Sequence, residues 1–198
     1  MKSELNQTRD SYDENAVEIA DGFWEFELTD TWNTFSQSLP EGAKVADIGC
    51  GPGRDTGQFT QRGYWTTGLD YSSGMLQEAM RRAPAPYLQG DMRTLPFSTG
   101  AFDGAWVCAS LLHIPRNEVP GVLDGIWRVL KPGGTIYLAL KEGEGEVWDS
   151  RKGQRFFTFF QEDEIRRLLD NAGFEIFELL VNPGEKATWI NVFARKTA

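Results

Sequence analysis

The chain has 198 residues, a formal net charge of −9 and 40% hydrophobic side chains, which fits one domain with a sizeable core. The acidic balance argues against binding bulk nucleic acid, and two cysteines are too few for a disulfide scaffold. Apolar runs stay well short of the roughly 20 residues that cross a bilayer, so we expect a cytoplasmic protein without a membrane partner. One histidine and no Cys-x-x-Cys pair predict no metal site.

The first forty residues are predicted to be helical. Helical patterns cover residues 12–20 and 24–38, and Pro40-Glu41-Gly42 ends the second. We therefore distinguish a helical segment, 1–40, from the main domain, 41–198. The second helix has an aromatic and apolar stripe that we expect to pack on a core. It consists of Trp24, Leu28, Trp32 and Phe35.

Beyond this segment, strand and helix patterns alternate. Strands are predicted over residues 44–48, 65–69, 87–89, 102–108, 135–140, 174–181 and 188–195. Helices are predicted over 55–62, 72–82, 116–130 and 162–172. The alternation predicts an α/β fold, a Rossmann-like doubly wound sheet that is mostly parallel and carries helices on both faces. The last two strands form an antiparallel hairpin, and ligands bind at the carboxyl ends of such strands.

A glycine-rich turn follows the first strand. The apolar run ends at Asp47, and Gly49, Gly51 and Gly53 alternate before a helix start. Glycine lets a backbone approach a ligand closely, and the amides of a helix start point at the same place. The sequence therefore predicts a nucleotide-like pocket after this strand.

Two charged residues refine the prediction of a pocket. Asp70 ends the second strand about twenty residues after the turn, the spacing at which a carboxylate binds a ribose diol, although strand-end aspartates also occur in ordinary turns. Arg54 stands where a dinucleotide fold has its third glycine. It argues against a nicotinamide oxidoreductase and suits a ligand with a carboxylate, or it is a solvated residue at a helix start.

From about Tyr12 to Arg195 the chain resembles the class I S-adenosylmethionine-dependent methyltransferases, and in particular the type-11 group. The resemblance rests on several motifs in the family's order. They occupy residues 47–53, 68–72, 89–92, 95–97, 102–103, 111–113 and 130–134.

The resemblance implies S-adenosylmethionine as the cofactor and assigns its contacts. Gly49, Gly51 and Gly53 would admit the methionine part, with Asp47 near its amino group. Asp70 would hold the ribose. Around the adenine and the sulfonium the implied contacts are Tyr71, Met75, Asp91, Met92 and Ala109. To these we add Arg54 as a clamp on the cofactor's carboxylate.

Four residues are candidates for the acceptor side. His113 follows the fourth strand and is either a general base or a packing residue of its loop. Tyr12 resembles the tyrosine with which many type-11 enzymes fold a lid over the cofactor, so the resemblance makes residues 1–40 a lid. Phe23 is a further candidate for contact with the acceptor. Lys141 ends the fifth strand and is expected to face inward.

The charged stretch after Lys141 has two interpretations. Together with Arg151, Lys152 and Arg155, residues 142–146 form either a substrate-binding loop or a solvated, flexible loop. The aromatic run at 156–160 is expected to be core or a wall of the acceptor site.

The sequence thus predicts a methyltransferase that acts on a small molecule by in-line displacement, in which the protein mainly aligns the reactants. Two alternatives stay open: a protein or tRNA methyltransferase that works with a partner, and a module that binds S-adenosylmethionine without catalysis. The acceptor atom, the use of a general base and the oligomeric state are not readable from these residues.

Overall fold

The computed structural model describes residues 3–151, 153–184 and 186–197. Lys152 and the first two residues of the predicted lid therefore lie outside the described residues. The helices are α1 (Glu4–Glu14), α2 (Ala16–Trp24), α3 (Thr29–Gln37), α4 (Arg54–Gln61), α5 (Ser73–Arg82), α6 (Val119–Val129) and α7 (Glu162–Asn171). The strands are β1 (Lys44–Ile48), β2 (Trp65–Asp70), β3 (Tyr87–Gln89), β4 (Phe102–Cys108), β5 (Leu130–Lys141), β6 (Glu146–Asp149), β7 (Arg155–Thr158), β8 (Phe174–Pro183) and β9 (Thr188–Lys196).

Seven strands form the main sheet in the order β3-β2-β1-β4-β5-β9-β8. The first five in this order are parallel, and β9 runs antiparallel to both β5 and β8. Strand order reverses between β1 and β4, which is where ligands bind in such sheets. The predicted α/β architecture, with its antiparallel C-terminal hairpin, is confirmed.

The N-terminal helices differ from the prediction. The helix expected over 12–20 is two helices that meet at Asn15, and α3 begins only at Thr29. Trp24 ends α2 and is 39% exposed, so the expected stripe is wrong at that residue, whereas Trp32 and Phe35 are buried. The reason lies in the connection, where the Arg54 guanidinium donates to the carbonyls of Phe23 and Phe26 and fixes a turn.

The charged stretch after β5 also differs from the prediction. It was expected to be a loop, but it contains a two-stranded hairpin, β6–β7. Phe156 and Phe157 are buried in it. The main chain of β7 is tied to α1, because the amide of Phe156 donates to the Thr8 hydroxyl at 2.9 Å. This hairpin lies over the end of β5 that points toward the expected ligand site.

Two apolar clusters fill the two faces of the sheet, and the smaller is dominated by aromatic rings. In it the rings of Trp106 and Tyr137 stack with centroids 4.0 Å apart. The carboxylate of Asp55 lies beside them and accepts from the indole N–H groups of Trp32 at 3.0 Å and Trp106 at 2.9 Å. Arg54 donates to both oxygens of the same carboxylate, so one buried side chain joins α3, α4 and β4.

We expect Asp55→Ala to lower the free energy of unfolding by about 3–5 kcal/mol, because two buried indole donors and the Arg54 guanidinium lose their acceptor together. Urea denaturation measures the change. Glu162→Ala is the control, since Glu162 pairs with Arg166 on the exposed face of α7 and such pairs contribute about 0.5 kcal/mol or less. Equal losses for the two variants would contradict the assignment of a central role to Asp55.

Candidate active site

The glycine-rich turn is fixed over the end of β2 by main-chain hydrogen bonds. The amides of Gly49 and Cys50 both donate to the Leu69 carbonyl, at 2.7 and 3.0 Å. The amide of Gly51 donates to Oδ2 of Asp70 at 2.8 Å. The turn and Asp70 therefore form one unit. We call this unit, together with Ala109 after β4, the strand-end pocket.

The three glycines of the turn have different surroundings. All have positive φ, at 76°, 52° and 82° for Gly49, Gly51 and Gly53. A Cβ on Gly49 would lie 2.2 Å from Cβ of Ser110, and one on Gly53 would lie 2.5 Å from the Tyr87 hydroxyl, but one on Gly51 would meet nothing within 4 Å. Gly49 and Gly53 thus make room for the protein itself, and Gly51 is the glycine that borders open space.

Asp70 is half-buried, and each of its carboxylate oxygens accepts one amide. Oδ1 accepts from Ser72 and Oδ2 from Gly51, both at 2.8 Å. Burial raises the pKa of Asp70 to about 6, and the two amides act against that rise. Each oxygen keeps a further acceptor site, so the carboxylate can still accept two hydroxyls. Its predicted role toward a ribose stays a prediction.

Asp47 is more deeply buried, at 2% exposure. The Thr56 hydroxyl donates to its Oδ2 at 2.5 Å. Burial raises its pKa, and the neighbouring charge of Asp55 raises it further. The carboxyl therefore has its first contact within α4, and its expected contact with an amino group stays a prediction.

The residues expected around an adenine already have partners within the protein. The Tyr71 hydroxyl donates to Asn6 of α1 at 2.8 Å. Asp91 accepts from the guanidinium of Arg93 at 2.9 and 2.7 Å. Two methionines complete this group. Met75 is buried, and Met92 packs against the larger core cluster.

Arg54 is mostly buried between α4 and the α2–α3 connection. Its guanidinium contacts Asp55 and the two carbonyls of the α2–α3 connection. It also lines a cavity of about 150 Å³ together with Trp24 and Trp32. The expected clamp on a carboxylate stays a prediction, and the contact found for Phe23 is the hydrogen bond from Arg54 to its carbonyl.

Ala109 has a strained backbone at the switch point of the sheet. Its φ of 53° is positive, which costs a residue with a Cβ about 1–2 kcal/mol. The conformation is held by its amide, which donates to Ala139 at 3.1 Å, and by the next residue, Ser110, whose hydroxyl donates to Ile48 at 2.7 Å. Such strain is common where a chain shapes a functional site.

The structure brings Tyr12 and His113 together across 101 positions. The Tyr12 oxygen lies 2.9 Å from Nε2 of His113, and Nδ1 lies 2.6 Å from the Phe156 carbonyl. Because a carbonyl only accepts, Nδ1 carries the proton and Nε2 accepts from the Tyr12 hydroxyl. Burial lowers the pKa of His113 to about 4. We call these two side chains the Tyr12–His113 pair.

Lys141 faces inward at the end of β5. Its Nζ lies 3.8 Å from the centre of the Phe157 ring, and burial, followed by the charge of Arg155, lowers its pKa. The Phe157 ring also packs on the imidazole of His113, with centroids 4.7 Å apart. Lys141 is therefore next to the Tyr12–His113 pair.

Arg155 also belongs to this site. Its stretch of sequence was compatible with either a substrate-binding loop or a solvated, flexible loop. Its guanidinium lies 5.9 Å from the Tyr12 ring and 5.5 Å from the Phe157 ring. The signal available in the sequence was strand alternation, which puts Arg155 and Phe157 on one face of β7. The alternating stretch around Arg155 and Phe157 is too short to be recognised as a strand, so the position of Arg155 was not predicted.

Neither a cluster of metal ligands nor a membrane-spanning helix occurs in the described residues. In that part of the chain no three metal-ligating side chains are grouped so as to hold an ion. Over the same residues, no helix combines the length and apolar character that a membrane crossing requires.

Comparison with known proteins gives several similarities. A family model described as a methyltransferase domain matches residues 45–134. An uncharacterized methyltransferase, sll0829 of Synechocystis sp., is 31% identical over 170 residues, which cover 81% of this chain and 80% of that protein. YqeM of Bacillus subtilis, named as a methyltransferase, is 32% identical over 114 residues. That match covers 54% of this chain and 46% of YqeM, so the chain spans about half of this relative.

A solved structure shares the fold over the whole chain. It is the 1,6-didemethyltoxoflavin-N1-methyltransferase of Burkholderia thailandensis with 1,6-didemethyltoxoflavin and S-adenosylhomocysteine bound. The TM-score is 0.82 at 22% identity, and the match covers 100% of this chain and 92% of that one.

We expect the His113 imidazole to stay neutral, with its proton on Nδ1, down to about pH 4. A folded-state pKa below the ordinary 6.5 means that the fold favours the neutral ring. This stabilisation is complete above pH 6.5 and is lost as the pH falls toward 4. Nitrogen-15 NMR follows the ring without overlap, because the chain has one histidine.

Tyr12→Phe should raise the midpoint of this titration, because Nε2 loses the donor that holds it unprotonated. Tyr64→Phe is the matched control, since the Tyr64 hydroxyl donates to Ser36 elsewhere in the fold. A wild-type midpoint near 6.5 would contradict the buried Tyr12–His113 pair.

Proposed function

Because this chain belongs to the family of S-adenosylmethionine-dependent methyltransferases, we propose that it transfers a methyl group from S-adenosylmethionine to a small-molecule acceptor. The observation that carries the proposal is the strand-end pocket, where the Asp70 carboxylate and the open side of Gly51 lie side by side. A carboxylate with free acceptor sites next to an unobstructed backbone suits a nucleoside. When bound, S-adenosylmethionine supplies a methyl group on a cationic sulfur, for which an acidic lining is favourable.

The residues of the pocket fit this cofactor in two ways. Gly51 has no side chain and has no neighbour on its open side, so a ligand can lie against the backbone there. Asp70 is partly exposed and accepts two amides that keep its oxygens in fixed positions. We propose that Asp70 holds the ribose hydroxyls and that Ala109 borders the reacting centre.

The acceptor is proposed to bind at the Tyr12–His113 pair. Nε2 of His113 is unprotonated and lies at a buried position beside an aromatic wall. An acceptor hydroxyl or protonated nitrogen that takes the place of the Tyr12 hydroxyl gives its proton to Nε2, and its freed lone pair forms the bond to the methyl carbon as the carbon–sulfur bond breaks. The Phe156 carbonyl stabilises the resulting imidazolium through the Nδ1 hydrogen.

We further propose that residues 1–40 form a lid. Contacts of α1 with both sides of the pocket support this. Asp13 accepts from the Ser72 hydroxyl at 2.6 Å and from the Gly74 amide at 2.8 Å, at the start of α5. On the other side Thr8 accepts from Phe156 of β7. Closure by such a segment excludes water from the reaction.

Asp70→Ala should weaken binding of S-adenosylhomocysteine by about 10- to 100-fold, because hydrogen bonds to a charged group contribute about 1.5–3 kcal/mol. Isothermal titration calorimetry measures the affinity, and Asp124→Ala on the exposed side of α6 is the control. With a pKa of about 6 for Asp70, wild-type affinity should fall by roughly tenfold from pH 7 to pH 5 as the carboxylate is protonated. No heat with S-adenosylhomocysteine at pH 7 would overturn the proposed function.

His113→Gln should lower the methylation rate by about 10²–10⁴-fold, the usual contribution of a general base, and leave the affinity for S-adenosylhomocysteine unchanged. The assay follows methyl-labelled S-adenosylmethionine into the small-molecule fraction of a metabolite extract. Label in protein or tRNA instead would favour the alternative of a macromolecular acceptor. Cofactor binding without a labelled product in either fraction would favour a non-catalytic module.

A further inference from the structure

Two cationic side chains converge on one aromatic ring next to the Tyr12–His113 pair. Lys141 Nζ lies 3.8 Å from the centre of the Phe157 ring, and the Arg155 guanidinium lies 5.5 Å from it. Lys141 comes from the end of β5 and Arg155 from the start of β7, so separate elements bring the charges together. We call Lys141 and Arg155 the cationic corner.

The positive charge of the cationic corner is poorly balanced. Arg155 has one carboxylate partner, Asp149, at 3.3 Å, and that carboxylate binds Arg151 more closely at 3.0 Å. The Nε–H of Arg155 is buried without a hydrogen-bond acceptor, and the Arg155 side chain is 13% exposed. Lys141 has no ion pair with a described carboxylate, but the charge of Asp149 raises its pKa against the effect of burial. Beside these two cations the described residues thus place one carboxylate, that of Asp149, and Arg151 shares it.

Both charges act on the Tyr12–His113 pair. The pKa of His113 is lowered chiefly by burial, and Arg155 and Lys141 lower it further. Arg155 also lies 5.9 Å from the Tyr12 ring. A buried cation is costly unless an anion accompanies it. Asp149 offsets part of the two charges, and a ligand that brings negative charge would offset the rest.

The rings around the cationic corner are flat and largely apolar. Phe157 lies between the imidazole of His113 and Lys141. Trp189 faces Lys141 from β9, with Nζ 5.8 Å from its ring. Rings at these positions suit a planar body by stacking, and the guanidinium of an arginine matches the geometry of a carboxylate.

We propose that the methyl acceptor is a planar molecule with a carboxylate, and that Arg155 and Lys141 bind this carboxylate while the acceptor atom lies at the Tyr12–His113 pair. This inference rests on the proposed function and defines the acceptor's class. Lys141 and Arg155 are then specificity-determining residues.

The test compares acids with amides of the same shape. The probes are 4-hydroxybenzoate and indole-3-acetate against 4-hydroxybenzamide and indole-3-acetamide, titrated by ligand-observed NMR into the full chain saturated with S-adenosylhomocysteine. We expect at least one acid to bind about tenfold more tightly than its amide, because one charge-assisted hydrogen bond adds about that much affinity. Lys141→Met and Arg155→Met should each reduce that preference to about threefold or less.

Lys186→Met is the matched control, because Lys186 is exposed in the connection between β8 and β9. Its substitution changes the net charge by the same amount as Lys141→Met or Arg155→Met. Arg155→Lys and Lys141→Arg keep the charge and should retain most of the preference, which guards against loss of folding in the methionine variants. Acids that bind no better than amides overturn the inference, and so does a preference that survives in both methionine variants.

Calorimetry with S-adenosylhomocysteine separates the two proposals. Heat of binding together with equal affinity for acids and amides overturns only the inference about the acceptor. Absence of that heat overturns the proposed function, and the acid and amide titrations repeated without S-adenosylhomocysteine then still decide whether the cationic corner selects carboxylates.

Discussion

The buried carboxylate of Asp55 is the interaction on which the positions of the other elements depend. It accepts from two indoles and a guanidinium, and these donors belong to α3, β4 and α4. Arg54, once held there, fixes the α2–α3 connection through two carbonyls. The same negative charge also helps to raise the pKa of Asp47 at the end of β1. One side chain therefore sets the position of the N-terminal helices relative to the sheet and the electrostatics beside the pocket.

The acceptor side is assembled from elements that are distant in sequence. His113 lies after β4, Tyr12 in α1, and Phe156 in β7, and hydrogen bonds join the three. The β6–β7 hairpin supports the imidazole from one side, and α1 is fastened to the hairpin through Thr8. A movement of α1 would thus change the hydrogen bonding of His113 directly. Under the proposed function, this couples closure of the lid to preparation of the base.

Local patterns predicted much of the sheet. β1, β3 and β4 have the predicted bounds, and β1 and β4 do so because each is a short, largely apolar and buried run between turn residues. The Ser72 hydroxyl accepts from the Met75 amide and caps α5 at the predicted start of the helix. The separation of α2 from α3 was not predictable, since it depends on a guanidinium about thirty positions away. The Tyr12–His113 contact and the convergence of Arg155 and Lys141 on Phe157 likewise arise only from tertiary packing. The packing of Gly49 against Ser110 also arises only from tertiary packing. The spacing of glycines does not reveal which neighbouring side chain occupies the place of the missing Cβ.

The partner that orients His113 is a main-chain carbonyl rather than a side chain. No point substitution at position 156 deletes that oxygen, so the tautomer of the ring is protected against genetic change as long as the hairpin folds. The surrounding aromatic and charged side chains have no such protection, because a substitution there removes the contacting group itself. Under the proposed function, a changed lining alters which acceptor binds while the proton-accepting nitrogen keeps its orientation.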